Sequence, residues 1–113
     1  MTYSHALWNT LPADSPMPLL ERRRVVGTHC MISHVTLKKG CSVPVHAHAN
    51  GQMVCVLSGA LRFALEGGRE EVVRAGGVLH LPPGVPHGAV AEEDSVVIDV
   101  FSPVSEMTGI DRR

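Results

Sequence analysis

The chain has few aromatic residues, few cysteines and no excess of charge of either sign. Aromatic residues make up 4% of its 113 residues, and its formal net charge at pH 7 is −1. A nearly neutral chain offers no electrostatic footprint for nucleic acid or an anionic membrane, so neither partner is expected. It also contains no apolar run long enough to span a bilayer as a helix. These absences leave a small, single-domain protein as the expectation.

The cysteines, Cys30, Cys41 and Cys55, are odd in number and have no CxxC spacing. The chain begins without a signal-peptide pattern, and this combination favours reduced thiols in a cytoplasmic protein. We therefore expect them to pack as small apolar side chains rather than to form disulfides.

From Val25 onward the chain is a succession of short β-rich runs separated by glycine and proline. Gly67-Gly68, between two such runs, predicts a hairpin, because positive φ angles cost glycine little. Eight short strands at this spacing predict an all-β sandwich or barrel, and no amphipathic helical stretch competes. The predicted strands are Cys30–Leu37, Gly40–Val45, Gln52–Leu57, Leu61–Glu66, Glu70–Arg74, Val78–Leu81, Gly88–Ala91 and Val96–Phe101.

The two ends of the chain are predicted to lie outside the barrel. Residues 1–24 have an apolar anchor at Trp8 but contain prolines that break regular elements, so they are interpreted as an N-terminal arm. The basic run at 22–24 is interpreted as a solvated entry to the first long strand. The barrel is expected over 25–103, with a C-terminal tail over 104–113.

Three histidines and one amide are candidate metal ligands. His46 and His48 stand two residues apart and point to the same face of an extended strand. Gln52 follows a short turn, and His87 follows a proline-rich turn that limits the backbone. From two separate segments, these side chains could converge on one divalent metal ion, and imidazole ligands suit several metals, so zinc, nickel, iron or manganese are all expected candidates.

The spacing of these residues resembles both signature motifs of the cupin superfamily. The motifs read Gly40-x5-His46-x-His48-x3-Gln52-x6-Gly59 and Gly76-x5-Pro82-x-Gly84-x2-His87. The resemblance implies a double-stranded β-helix, or jelly-roll barrel, that holds the metal inside. It also implies that the four candidates above are its ligands.

The residue at position 52 is a departure from the usual cupin pattern, which most often has Glu there. Gln coordinates as a neutral oxygen, so a divalent metal would keep its full charge. A fully charged metal is a stronger Lewis acid and attracts anionic substrates such as carboxylates. The missing anionic ligand also weighs against oxygen activation.

The last strand, over 96–103, resembles the end of the small cupins called KdgF, which convert 4,5-unsaturated uronates to linear keto sugars. The resemblance implies that Asp99 is a general acid or base and that Phe101 shapes the pocket wall. The family has an Arg where this chain has Ser105; Arg112 or Arg113 could substitute for it. The substrate is therefore left open between a uronate and another small anion.

Further expectations concern the pocket, the alternatives and the partner. Val54, His34 and His80 are expected to line the pocket. The alternatives are a cupin dioxygenase, a non-catalytic small-ligand-binding cupin, and a dimethylsulfoniopropionate lyase, a class that has Tyr at the position of Val54. The resemblance also implies a homodimer, for which Trp8 and Leu11 are the candidate anchors.

Overall fold

The computed structural model describes residues 2–104. Within that range it contains ten strands and two single 3-10 turns, at Trp8–Thr10 and Glu66–Gly68, and no described helix is long and apolar enough to cross a membrane. The strands are β1 Asp14–Met17, β2 Leu20–Val26, β3 Met31–Leu37, β4 Ser42–His46, β5 Gly51–Ser58, β6 Ala60–Ala64, β7 Glu70–Arg74, β8 Val78–Leu81, β9 His87–Ala91 and β10 Ser95–Ser102.

The strands form two antiparallel sheets that face each other. The larger sheet has the order β1-β2-β3-β10-β5-β8, and the smaller sheet has the order β4-β9-β6-β7. Non-consecutive neighbours such as β3 and β10 show that the chain crosses repeatedly between the sheets. The end of the barrel at which β4 and β10 finish and β5 and β9 begin is called the mouth below.

Alternation along the strands sets the inner and outer faces of the larger sheet. In β3 every second side chain is buried, from Met31 to Leu37. In β10 the corresponding inner positions are Val97, Asp99 and Phe101, because residues two apart share a face. The buried apolar side chains of both sheets form one core inside the barrel.

The eight strands predicted from the sequence are all present, with ends shifted by up to two residues. The Gly67-Gly68 hairpin is also confirmed: both glycines have positive φ, at 73° and 74°, and join β6 to β7. The all-β barrel prediction is therefore confirmed.

The strands β1 and β2 were not predicted from the sequence. The boundary predicted between the N-terminal arm and the barrel, at residue 24, falls inside β2. Arg22 is not solvated, because its guanidinium is buried and donates two hydrogen bonds of 2.9 Å to the Asp14 carboxylate across the hairpin. Pro16 lies in the edge strand β1, where a missing N–H is tolerated. The charge of Arg22 in β2 is thus paired, and the proline in β1 lies at a sheet edge. Both strands can form although their composition alone argues against them.

The prediction that the cysteines pack as small apolar side chains is confirmed for Cys41, holds in part for Cys55 and is wrong for Cys30. All three thiols are free, Cys41 is buried and Cys55 is partly buried. Cys30 is exposed, because it lies in the turn that connects β2 to β3 rather than at the start of β3.

Candidate metal centre

The candidate ligands meet at the mouth of the barrel and come from both sheets. His46 ends β4 and pairs directly with His87, the first residue of β9, in the smaller sheet. Gln52 lies in β5 of the larger sheet and pairs with Phe101 of β10. His48 lies in the loop between β4 and β5. The fold therefore gathers two distant segments at one point between the sheets.

The imidazole groups of His46, His48 and His87 are close enough to share one ion. Their candidate ligand atoms all lie within 4.8 Å of one another. The ring centroids are separated by 4.5 Å for His46 and His87, 5.0 Å for His48 and His87, and 5.6 Å for His46 and His48. These three residues could hold a metal ion.

Backbone carbonyl groups orient all three rings in the same way. Nδ1 of His46 lies 2.8 Å from the carbonyl oxygen of Pro44, and Nδ1 of His87 lies 2.9 Å from that of Val85. Nδ1 of His48 lies 3.0 Å from the carbonyl oxygen of Asn50. A carbonyl oxygen only accepts, so each Nδ1 donates a proton to it, and Nε2 is the ring nitrogen that could bind a metal.

Among the three histidines, His87 has the environment that best fits a metal ligand. Its Nε2 is buried and has no hydrogen-bond partner in the described chain. Burial lowers the pKa of His87 to about 4, against the opposing effect of the Val85 carbonyl, and the nearby His46 and His48 lower it further. The ring is therefore neutral at pH 7, and an orphaned, buried lone pair is what a metal ion satisfies.

Gln52 brings a fourth donor atom to the same point. Its Oε1 lies 3.1 Å from Nε2 of His48. In a neutral His48 ring with its proton on Nδ1, both atoms are acceptors, because the Gln52 amide nitrogen bonds elsewhere. Two acceptors at this distance could bind the same metal ion. Ligand atoms that are each about 2.1 Å from one ion are separated by roughly 3.0 to 3.4 Å at octahedral or tetrahedral angles, so the residues fit a metal ion that three imidazoles and one amide oxygen would bind.

Asp99 lies next to this group and is linked to it through Gln52. The amide Nε2 of Gln52 donates a 3.1 Å hydrogen bond to Oδ1 of Asp99. Desolvation raises the pKa of Asp99 to about 6, and the hydrogen bond from Gln52 lowers it in part. A carboxyl group with a pKa near neutrality, beside a candidate metal centre, is suited to exchange protons with a bound molecule.

A cavity of about 60 Å³ extends from the candidate ligands into the barrel. Val54 and Phe101, both predicted to line the pocket, do line it and are buried. The Phe101 ring meets the His48 ring edge-on, with centroids 5.8 Å apart, so it packs against the candidate metal ligand. Asp99 lines the same cavity.

Two predicted pocket residues lie elsewhere. His34 is on the outer face of the larger sheet, because it alternates with the inward Ser33 and Val35, and its ring centroid is 5.4 Å from that of Trp8. His80 is exposed on the outer face of β8, opposite the exposed Met53. The prediction that they line the pocket is wrong. Ser105, Arg112 and Arg113 lie outside the described residues.

Asn50 is a site residue that the sequence reasoning missed. Its backbone carbonyl orients His48, while its side-chain amide donates to the carbonyl oxygen of Pro103, just beyond β10. The side chain is almost fully buried, at 2% exposure. In the sequence it precedes Gly51 and is typical of a turn, so only the three-dimensional contact distinguishes it from an ordinary turn residue.

Comparison with known proteins agrees with this geometry. Residues 33–101 match the model of the cupin domain family. The chain belongs to the cupin family, which bears out the resemblance seen in its two motifs. No curated protein matched the chain in sequence.

Solved structures place the chain among small cupins of similar length. It is 30% identical to KdgF from a Halomonas species, with a TM-score of 0.86 over 93% of this chain and 97% of that one. It is 27% identical to an RmlC-like cupin from Shewanella frigidimarina, with a TM-score of 0.85 over 93% and 95% of the two chains. The polyketide cyclase RemF from Streptomyces resistomycificus, at 21% identity, a TM-score of 0.78 and coverage of 92% and 81%, shares the fold.

Proposed function

We propose that this cupin is a metal-dependent enzyme that uses Lewis-acid and acid/base chemistry on a small carboxylated substrate. The observation that carries the proposal is the arrangement around Gln52. Its oxygen faces the Nε2 of His48 and its nitrogen donates to Asp99, at 3.1 Å in both cases. One side chain thus joins a metal-ligand group to a carboxyl group of shifted pKa.

The charge of the site favours an anionic substrate. Three neutral imidazoles and one neutral amide would leave a divalent ion with its whole charge. When bound, such an ion supplies Lewis acidity, polarising a carboxylate or carbonyl oxygen. The residues that would hold it are His46, His48, His87 and Gln52. We infer a single ion because the candidate atoms of the three histidines lie within 4.8 Å of one another and the Gln52 oxygen lies 3.1 Å from Nε2 of His48.

Asp99 has the position of the acid/base group. It lies on the inner face of β10, one inward-facing position deeper than Phe101, and it lines the cavity beside Gln52. The Asp99 carboxyl group could donate a proton to a substrate atom next to the metal-bound group, or accept a proton from that atom. Phe101 packs against His48 and closes one side of this space, which excludes water and steadies the ligand ring.

The activity to test first is that of the KdgF family, the conversion of 4,5-unsaturated uronates to linear keto sugars. Its support is the 30% identity to a KdgF structure over nearly the full length of both chains. Metal-loaded protein should accelerate the loss of the double-bond absorbance of an unsaturated uronate. If no metal form accelerates this loss over buffer, the uronate activity is excluded. The proposal of a metal-dependent enzyme would then apply to another small carboxylated substrate.

An Asp99→Ala variant separates an enzyme from a binding module. If the protein is an enzyme, this variant binds metal and substrate but turns over at least about a hundredfold more slowly, which is the scale of general acid/base catalysis. Unchanged turnover would remove Asp99 from the mechanism. Consumption of oxygen during turnover would instead favour the dioxygenase alternative.

A further inference from the structure

The side chains on the inner face of the larger sheet form successive rows, each deeper below the mouth than the one before. Along a strand, residues that share a face are about 6.6 to 6.8 Å apart, so each row lies that much deeper than the last. The pairing of β3, β10 and β5 gives three successive rows: Gln52 with Phe101, then Asp99 with Val54 and Ser33, then Val97 with Val35 and Val56. The metal ligand is outermost and Asp99 comes next.

Below Asp99 the cavity wall is apolar. It is formed by side chains from both sheets, among them Leu20, Val35, Leu61, Phe63 and Val97. Over residues 2–104 the wall contains no Lys or Arg, and its polar side chains are His46, Gln52, His87 and Asp99, all near the mouth. Arg22 shares the inner face of the sheet with Leu20, but its guanidinium is bonded to Asp14 and it does not line the cavity.

We propose that this cavity takes the hydrocarbon chain of a short monocarboxylic or 2-oxo acid, with the carboxylate toward the metal-binding group and the chain pointing into the barrel. This inference rests on the proposed function, because the charge that binds the carboxylate is that of the metal. The order by depth places the first chain carbons beside Asp99 and the remaining ones among the apolar side chains. Substrate class is thus set by the barrel interior as well as by the metal.

A polyhydroxylated acid fits this interior poorly. A hydroxyl group buried without a hydrogen-bond partner loses its hydration, which lowers affinity by about tenfold per group. A sugar acid that enters the apolar part would carry several such groups. We therefore expect a sugar acid to stay at the mouth, held by its carboxylate alone, and only unbranched aliphatic acids to gain affinity from the apolar interior.

The size of the cavity limits the length of the chain. A water-sized group needs roughly 10 to 15 Å³ of this kind of volume, so 60 Å³ accommodates about four to six such groups. The metal ion and the carboxylate occupy part of that space, which leaves room for about two or three chain carbons. Affinity should rise with each added methylene up to that length and then level off.

The test is a ligand series on the zinc-loaded protein, with acetate, propanoate, butanoate, pentanoate and glucuronate as probes, measured by calorimetric titration. Each methylene that enters the cavity should raise affinity by about three- to fourfold. Glucuronate should bind no more tightly than acetate. Equal affinities from acetate to pentanoate, or glucuronate binding more tightly than butanoate, would overturn the inference.

A matched pair of variants on β10 locates the effect. Val97→Thr places a hydroxyl in the cavity wall, while Val100→Thr makes the same change on the outer face of the same strand. Val97→Thr should lower butanoate affinity at least threefold without changing acetate affinity, and Val100→Thr should change neither. Equal butanoate affinities of the two variants would contradict the placement of the chain beside Val97. If Val97→Thr fails to fold, the ligand series on the wild-type protein still tests the inference.

Acetate distinguishes this inference from the proposed function. If zinc-loaded protein binds acetate but shows no preference for longer chains, the apolar-chain inference fails while the charged metal stands. If no carboxylate binds to protein that contains zinc, the proposed anion-binding metal fails, and the inference fails with it.

Discussion

Gln52 donates a 3.1 Å hydrogen bond to Asp99 across the inner face of β5 and β10. Only an amide can do this while offering an oxygen to a metal, because the Glu usual in cupins has no N–H to donate. Glu at position 52 would bring two carboxylates together in a desolvated place. The Gln that departs from the usual pattern is therefore matched to the carboxyl group beside it.

Exchange of that amide for a carboxylate tests this relationship. Gln52→Glu should keep or raise metal affinity, because it adds an anionic ligand. In metal-free protein it should lower the free energy of unfolding at pH 8 by about 1–3 kcal/mol, the cost of a lost hydrogen bond and an unpaired charge. Chemical denaturation and competition with a chelator measure the two effects.

The double variant Gln52→Glu/Asp99→Asn is the matched control. It reverses the direction of the hydrogen bond, since the new amide at position 99 donates to the new carboxylate at position 52. Stability should recover relative to Gln52→Glu alone, and strictly additive effects of the two changes would contradict a direct interaction.

Asp99 should give metal-free protein a characteristic dependence of stability on pH. Its pKa is raised from 3.8 to about 6 in the folded protein, so between these values the folded state holds a proton that the unfolded chain has lost. The stability contributed by protonated Asp99 is present below pH 3.8 and is lost as the pH rises through 6. In the presence of a chelator, Asp99→Asn should therefore gain up to about 3 kcal/mol over wild type across this window. An advantage that is constant from pH 3.5 to 7 would contradict the raised pKa.

Asn50 should matter for metal affinity although it offers no ligand to the metal. Asn50→Ala removes the bond to Pro103 that ties the loop of His48 to the end of β10. We expect metal affinity to fall by about tenfold, the scale of a lost outer contact to a metal ligand. Ser102→Ala, which removes a bond from the same end of β10 to His29, is the control and should leave affinity unchanged. Equal losses in both variants would indicate a general effect on β10 instead.

Leu19 should limit the stability of the β1–β2 hairpin. It has a φ of 67°, a conformation that favours glycine, and its side chain is 51% exposed. Leu19→Gly should raise the midpoint of denaturation, with a gain of about 1 kcal/mol from relief of the strain. Leu7→Gly, at another exposed leucine with an ordinary extended backbone, should give no such gain.

The strands, and the convergence of the candidate metal ligands at one place, could be predicted because their signals are local. Gly67-Gly68 specifies a turn by itself, and the spacing of His46 and His48 specifies a shared orientation. The strand β2 could not be predicted, because its basic residues are accommodated by Asp14, a partner that only the folded hairpin provides. His34 and His80 were misplaced for a related reason: an unassigned histidine has no signal for which face of a strand is buried.

The homodimer stays a prediction. Trp8, proposed as an interface anchor, packs against His34 of its own chain, so the arm has at least one contact that needs no partner. Deletion of residues 2–13, which leaves β1 and β2 intact, should convert a dimer to a monomer if the arm joins two copies. An unchanged mass in light scattering would contradict a role for the arm.

The proposed metal centre is tested most directly by metal titration of chelator-treated protein, followed by X-ray absorption at the metal edge. We predict that wild-type protein binds one zinc or nickel ion per chain, with three imidazole nitrogens and at least one oxygen as its ligands. A His46→Ala/His87→Ala variant should lose this binding. Wild-type protein that binds no more metal than this variant, or a bound metal without imidazole ligands, would contradict the proposed metal centre.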